Sequence, residues 1–321
     1  MNTKKIAIIG TGKVSHALKN GFVNHGKYLS DNILVVGKNH SKGKDPSLKN
    51  YEHIVLAVRP DNAIDLLVSL KGRISPSAII TSFVSGLNIT ILGKILRLPY
   101  HQIVKATLNT NVAFGCGIIC FKAVSNSAES TMQNIFTNLV HPQGLISVSA
   151  KDVNKGITLY GSMNAFDAKF IKFLYYRKSK NISFKKFVRT ISLKDEIVKN
   201  YLHAKEIACS SVFGFSVCNN AQLSFESTLY AIRKNCNNVT DIDAHIKTVV
   251  TPNGCTEKGL GDLKTIEDML SFEKMRSALD KIYRKSRTFG RDIYKTFKKT
   301  LINESTNHAE KVPDFYCRRP W

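Results

Sequence analysis

Up to about residue 150, short unbroken apolar runs alternate with amphipathic stretches. The runs are Lys5 to Ile9, Ile33 to Val36, Ile54 to Val58, Ala78 to Thr81 and Ile103 to Lys105. Strands buried on both faces read this way, as continuous rather than alternating apolar segments. Between them, Val14 to Asn24 and the segment opened by Pro60 and Asp61 and running to Leu70 place apolar residues at helical spacing. Strand and helix taken in turn predict a parallel sheet covered by helices on both faces, over residues 1–150.

From Lys151 onward glycine thins out, and Met163 to Tyr176, Asp195 to Phe213 and Phe272 to Phe289 all carry helical periodicity. A second, all-helical domain is therefore expected over 151–302, with 303–321 as a frayed tail. The basic, weakly patterned stretch from Arg177 to Lys194 reads either as an insertion or as a solvated helix face. A length of 321 residues suits two domains, and 43% hydrophobic with 22% charged residues excludes a wholly disordered chain.

No apolar run is long enough to cross a bilayer, and the opening MNTKKIAIIG runs into a glycine-rich turn where a secretory signal would carry its cleavage site. A cytoplasmic protein without a membrane partner is the expectation. Cys116, Cys120, Cys209, Cys218, Cys236, Cys255 and Cys317 form no CxxC pair, and the histidines show no HxH or HExxH spacing, so free thiols and no metal are expected. The 47 basic against 24 acidic side chains leave a net charge of +23. Much of the excess is lysine scattered among Asn, Ile and Ser, the look of a general compositional bias. Lys169 to Arg189 and Lys281 to Lys299 are denser, but neither sets its aromatics in a recognisable RNA-binding signature. Nucleic-acid binding stays as the lesser alternative, marked by a steep salt dependence.

The first apolar run ends directly in Gly10-Thr11-Gly12-Lys13-Val14-Ser15, and a helical pattern follows at once. A strand, a GxGxxS turn and a helix make up the fingerprint of a Rossmann dinucleotide-binding domain: Gly10 permits the tight turn, and Gly12 offers no Cβ to obstruct a pyrophosphate. The small Ser15 lets the helix approach the sheet. The second run ends Val36-Gly37-Lys38-Asn39-His40-Ser41, without the acid that holds the ribose of NAD. That favours NADP(H), with NAD(H) as the alternative. Lys38, Asn39 and Ser41 are the candidates for the 2′-phosphate, against a reading as plain solvated loop residues.

Further motifs follow in order: LAVRP at Leu56 to Pro60, SFVSGL at Ser82 to Leu87, VKATLNTNVAFGCG at Val104 to Gly117, LYGSMNAFDAKFIKFL at Leu159 to Leu174, and TPNGCTEKGLGDL at Thr251 to Leu263. Together they resemble the pyrroline-5-carboxylate reductase family, from Ile6 to about Arg287. The resemblance implies a Rossmann domain followed by an all-helical dimerisation and substrate domain, assembled as a homodimer or a ring of dimers. It also implies NADPH-dependent reduction of the cyclic imine acid 1-pyrroline-5-carboxylate to proline, a step of amino-acid biosynthesis. Ala57, Val58, Arg59 and Pro60 are then candidates for the adenosine side of the cofactor, Arg59 being equally at home in solvent. Asn109 and Thr110 are candidates for the wall beside the nicotinamide, against a reading as turn residues making local bonds.

The turn Pro252-Asn253-Gly254-Cys255-Thr256, if it opens a helix, converges backbone N–H groups on a small carboxylate. The family uses this turn so, and the resemblance makes Thr256 the hydroxyl that partners the ring nitrogen. An ordinary capped helix is the plainer reading. The chain departs from the family pattern at Lys105, Thr107, Leu108, Asn111, Met163, Asn164 and Asn253, with Leu108, Asn111 and Asn164 standing where the resemblance expects proline. These departures keep alternatives in view: another imine or a keto acid as substrate, or an NADP-binding regulatory subunit without turnover.

Overall fold

The computed structural model describes residues 4–37, 47–178, 181–213, 221–250 and 255–307. Among them the chain forms β1 (Ile6–Ile9), α1 (Lys13–Asn24), β2 (Ile33–Val36), β3 (His53–Leu56), α2 (Ala63–Leu70), β4 (Ile79–Ser82), α3 (Ile89–Leu96), β5 (Ile103–Leu108), β6 (Gly117–Ala123), α4 (Asn126–Phe136) and β7 (Val140–Ser147). Helices follow: α5 (Ala150–Lys178), α6 (Phe184–Thr190), α7 (Glu196–Phe213), α8 (Ala221–Asn235), α9 (Val239–Val249), α10 (Cys255–Leu260), α11 (Ile266–Leu270) and α12 (Phe272–Asn307).

The strands form one sheet in the order β2-β1-β3-β4-β5-β6-β7, parallel throughout except where β6 runs antiparallel to β5. Strand order reverses at β1, which has β2 on one side and β3 on the other. Open α/β sheets bind their ligands at such a point, beyond the carboxyl ends of the strands. Side chains alternate across the sheet. Ile6 and Ile8 join Leu18, Phe22 and Phe136 on one face, while Ala7 and Ile9 join Leu67, Ile80 and Leu92 on the other.

A third core fills the helical part, around Phe166, Phe170, Tyr201 and Phe225. It is continuous with the sheet, because Ile118 and Cys120 of β6 point into it. Gly156 of α5 permits that approach, since a Cβ there would lie 2.7 Å from Cys120 Sγ. At the centre of the helical core the Asp167 carboxylate accepts hydrogen bonds from Tyr201 Oη, Lys205 Nζ and Ser224 Oγ, each at 2.7 Å. Lys205 Nζ also donates to Ala221 O at 2.9 Å, and both members of the ion pair are fully buried. One carboxylate thus ties α5 to α7 and α8.

The structure moves several expected boundaries. The third strand is His53–Leu56, so Ala57 and Val58 leave the sheet as loop. Pro60 to Asn62 form a 3₁₀ turn ahead of α2, because the proline ring suits a first turn and supplies no N–H to a longer helix. The strand expected at Ile103 to Lys105 continues to Leu108, and all six of its residues are buried. Met163 to Tyr176 is the middle of the much longer α5, and α12 continues past Phe289 and beyond the expected start of the tail, to Asn307. Its distal half explains the extension: Ile293 and Phe297 pack into the core beneath α2 and α3. The stretch from Arg177 to Lys194 is no simple solvated face, since α6 buries Phe184, Phe187 and Val188. Residues 308–321 lie outside the described residues.

Two buried groups give measurable consequences. Replacing Lys205 by Met strands the Asp167 charge in the helical core and should cost about 3–5 kcal/mol, read as a lower denaturant midpoint. The double variant Asp167→Leu with Lys205→Met should recover most of that loss. His53 is buried in β3 beside Phe136, with neither ring nitrogen partnered, and burial pushes its imidazole down from 6.5 to about 3. The unfolded chain therefore binds a proton that the folded chain refuses, and stability falls as pH drops below about 6.5. At about pH 5 the difference is about 2 kcal/mol, so a His53→Leu variant should outlast the parent in thermal melts at that pH, with a smaller gap at about pH 8.

Candidate functional site

The loop after β1 is set by backbone sterics. Gly10 has φ +127°, and a Cβ on it would lie 2.4 Å from Ala57 O. Its N–H continues the ladder to Val36 O at 2.8 Å, and Ala57 N–H returns to Ile9 O at 2.8 Å. β1, β2 and β3 therefore end level, with their loops at one edge. Ser15 is buried beneath the turn, its hydroxyl 3.5 Å from Ala57 O.

Gly12 is the N-cap of α1 and offers no side-chain cap, and the first turn of the helix holds no acid. A Cβ on Gly12 would meet nothing within 4 Å. The leading N–H groups of α1 thus face an open space of the kind that takes an anion.

Beside the loop lies a cavity of about 520 Å³, walled by Ile9 to Gly12, Val36, Gly37, Ala57, Val58 and Arg59, and by Asn62, Asp65, Ser69 and Arg73 beyond the third strand. Of the expected adenosine-side residues, Ala57, Val58 and Arg59 line this cavity and Pro60 is not among its lining residues. Arg59 is mostly exposed at the rim, 3.4 Å from Asp61. Lys38, Asn39 and Ser41, the expected 2′-phosphate contacts, lie outside the described residues. No local motif marks Asn62 and Arg73, since only the folding of α2 against the sheet brings them here.

A second cavity, of about 670 Å³, shares Thr11 and Gly12 with the first and runs down the flank of α1 past Thr110, Phe114, Lys234 and Thr248. Lys13 stands between loop and helices. Its ammonium donates to Lys247 O and, at 2.8 Å, to Val250 O, closing the carboxyl end of α9. Burial pulls the Lys13 pKa down. Thr110 Oγ1 sits 3.2 Å from Thr248 Oγ1 and accepts from Asn164 Nδ2 at 3.4 Å. Asn109, by contrast, is buried and spends its side chain inside the protein, accepting from Ile118 N–H at 3.0 Å and donating to Ser227 Oγ at 3.4 Å. Thr110 therefore reaches the cavity and Asn109 holds the wall behind it.

Thr256 lies in α10, buried, with its hydroxyl 3.0 Å from Ser162 Oγ of α5. A hydroxyl has one donor and two acceptor sites, so this bond leaves Thr256 capacity for a further partner. Asn253 and Gly254 lie outside the described residues, as does the side chain of Cys255. Ser162 was seen only as part of a motif; its bond to Thr256 joins residues 94 positions apart.

No family model matches the chain. Over 127 residues it is 28% identical to pyrroline-5-carboxylate reductase 1 of Bacillus spizizenii, a match that takes in 35% of this chain and 42% of the relative, and the same holds for the Bacillus subtilis protein. The chain thus spans less than half the length of the curated relatives it matches. Among solved structures, a Plasmodium falciparum pyrroline carboxylate reductase with NADP bound superimposes with a TM-score of 0.55 at 20% identity, over 90% of this chain and 99% of that one. Sequence and fold both resemble the family whose motifs the chain carries in order.

Gly10 and Gly12 should separate folding from binding. Gly12→Ala has room for its methyl group and an ordinary φ of −84°, so its melting temperature should stay within about 2 °C of the parent. The methyl enters the open space before α1, and affinity for a dinucleotide should fall at least about tenfold by calorimetry. Gly10→Ala should lose stability outright, by about 2 kcal/mol or more.

Proposed function

We propose that this chain is an NADPH-dependent reductase of a cyclic imine, with 1-pyrroline-5-carboxylate as substrate and proline as product. The observation that carries the reading is the glycine loop itself: an uncapped helix N-terminus with open space over Gly12, at the point where strand order reverses. Two cavities meet at Thr11 and Gly12. A dinucleotide is two nucleosides joined at a pyrophosphate, so the loop suits the pyrophosphate and the two cavities its halves.

In this reading Ala57, Val58 and Arg59 flank the adenosine, and Arg59 and Arg73 add positive charge at that rim. The strand end at Val36-Gly37 carries no acid, which supports NADP(H) over NAD(H), with Lys38, Asn39 and Ser41 as the proposed 2′-phosphate contacts. The bound nicotinamide supplies the hydride. What remains to the chain is positioning. Thr110 and Thr248 close the wall beside the loop, and Lys13 ties that loop to α9.

The turn from Pro252 to Thr256 is proposed to hold the substrate carboxylate. The Thr256 hydroxyl, steadied by Ser162, is proposed to hydrogen-bond the ring nitrogen and to keep a proton there as the adjacent carbon is reduced. Self-association through the helical part, as a homodimer or a ring of dimers, belongs to the same proposal.

The test is NADPH oxidation, followed by absorbance, with purified protein and pyrroline-5-carboxylate. Turnover is expected, faster with NADPH than with NADH. Thr256→Ala should lower kcat by about a hundredfold while leaving NADPH affinity within about twofold, and Thr256→Ser should restore much of the rate. NADPH binding without turnover on any cyclic imine would remove the reductase reading and leave a dinucleotide-binding protein.

A further inference from the structure

The far end of the second cavity has a chemistry that a dinucleotide does not account for. Its walls carry Lys13 and His16 near the loop, then Asn20, Asn24, His25 and Lys234, and no residue lining it is acidic among those described. Along α1 the twelve residues from Lys13 to Asn24 span about 16 Å, so the His25 end is well removed from the phosphate position at Gly12.

The basic groups at that end have defined neighbours. Gly115 has φ +69°, and a Cβ there would lie 2.7 Å from His25 Nδ1, so the imidazole is seated on a glycine that only just admits it. The Lys234 ammonium lies over the Tyr230 ring, 4.8 Å from its centroid. Burial and the nearby Lys234 charge pull the His25 pKa down, while a hydrogen bond with the Ala113 backbone pulls it back up. A protonated His25 and Lys234 facing one cavity with no carboxylate between them repel each other, which disfavours the protonated imidazole, and an anion between them reverses that effect.

We propose that the cavity along α1 binds a small polyanion, a phosphate ester or a polycarboxylate, at its His25 and Lys234 end, as a ligand separate from the dinucleotide. Its separateness from the dinucleotide rests on the proposed function, whereas anion binding itself does not. The anion bridges α1 to the end of α8 and adjoins the Thr110 wall. It is therefore placed to couple metabolite level to the site beside it.

The experiment titrates the full chain with inorganic phosphate and, separately, with citrate, and follows the imidazole resonances by NMR; His25→Gln assigns the His25 signal. Saturable movement at His25, with its pKa raised, is expected, while the exposed His101 stays still. Lys234→Gln should weaken binding about tenfold without changing the circular dichroism spectrum. The citrate and phosphate arms tell a polycarboxylate site from a phosphate site, and the movement should persist with NADPH at saturation. The proposal is overturned if His25 does not move, if His101 moves equally, if Lys234→Gln binds as the parent does, or if NADPH abolishes the effect. The last result would make the cavity part of the dinucleotide site. Should NADPH not bind at all, the dinucleotide reading fails while the phosphate and citrate arms still decide the anion site.

Discussion

The turn at Gly10 is the constraint on which the site depends. β1 runs between β2 and β3, and its last residue is level with the last residue of each. The chain must leave this edge without colliding with the loop after β3, and Ala57 O stands where a Cβ would go. A residue with φ near +127° and no side chain is the solution. From it follow the ladder bonds from Gly10 to Val36 and from Ala57 to Ile9, the burial of Ser15, and the direction in which the start of α1 points. Had Gly10 been any other residue, the N–H groups of α1 would not converge on the space over Gly12.

A site at the edge of a sheet needs a second wall, and the helical part supplies it through a few long-range contacts. Lys13 reaches the closing carbonyls of α9, and Thr110 meets Thr248 on the same helix. Two helices carry the load behind these contacts. α5 lies against β5 and β6 and lines the helical core from Leu159 to Leu174, while α12 starts in that core and carries Ile293 and Phe297 into the core of α2 and α3. At the crossing of α12 with the sheet part, Gly86 has φ +78° and comes so close to Gly290 that a Cβ would lie 2.6 Å from its nitrogen.

What the sequence made legible was local. The glycine loop could be read because turn, strand end and helix start are adjacent in the chain, and α/β alternation could be read because each buried strand is one apolar run. Bonds between distant residues left no such signal: Ser162 to Thr256, Lys13 to α9, or the ring of donors around Asp167. The basic stretch from Lys169 to Arg189 shows the same limit. On the chain it is a basic stretch without an acid. In the fold Lys172 pairs with Asp243 at 2.6 Å, Arg177 with Glu267 at 3.1 Å, and Lys169 donates to Leu260 O at 3.1 Å. The acids that answer these charges lie about 70 to 90 residues further on, beyond the reach of any pattern of spacing.

The departures from the family pattern also look different once placed in space. Asn111, where the resemblance expects proline, donates to Ser227 Oγ at 2.9 Å and lies 3.5 Å from Thr228 Oγ1. Ser227 in turn donates to Cys116 O at 2.7 Å. Asn164, at another proline position, donates to Thr110. The replaced residues thus take part in one polar seam, joining the turn after β5 to α5 and α8. A proline at 111 or 164 has no side-chain donor, so the seam is the consequence of these departures. Buried polar networks favour a fold when every member is satisfied. Here Asn111 Oδ1 and Asn164 Oδ1 remain without partners in the described structure, and each such buried atom costs about 1–3 kcal/mol. The seam therefore closes the wall behind Thr110 at an energetic cost, and that cost falls on the amides of Asn111 and Asn164.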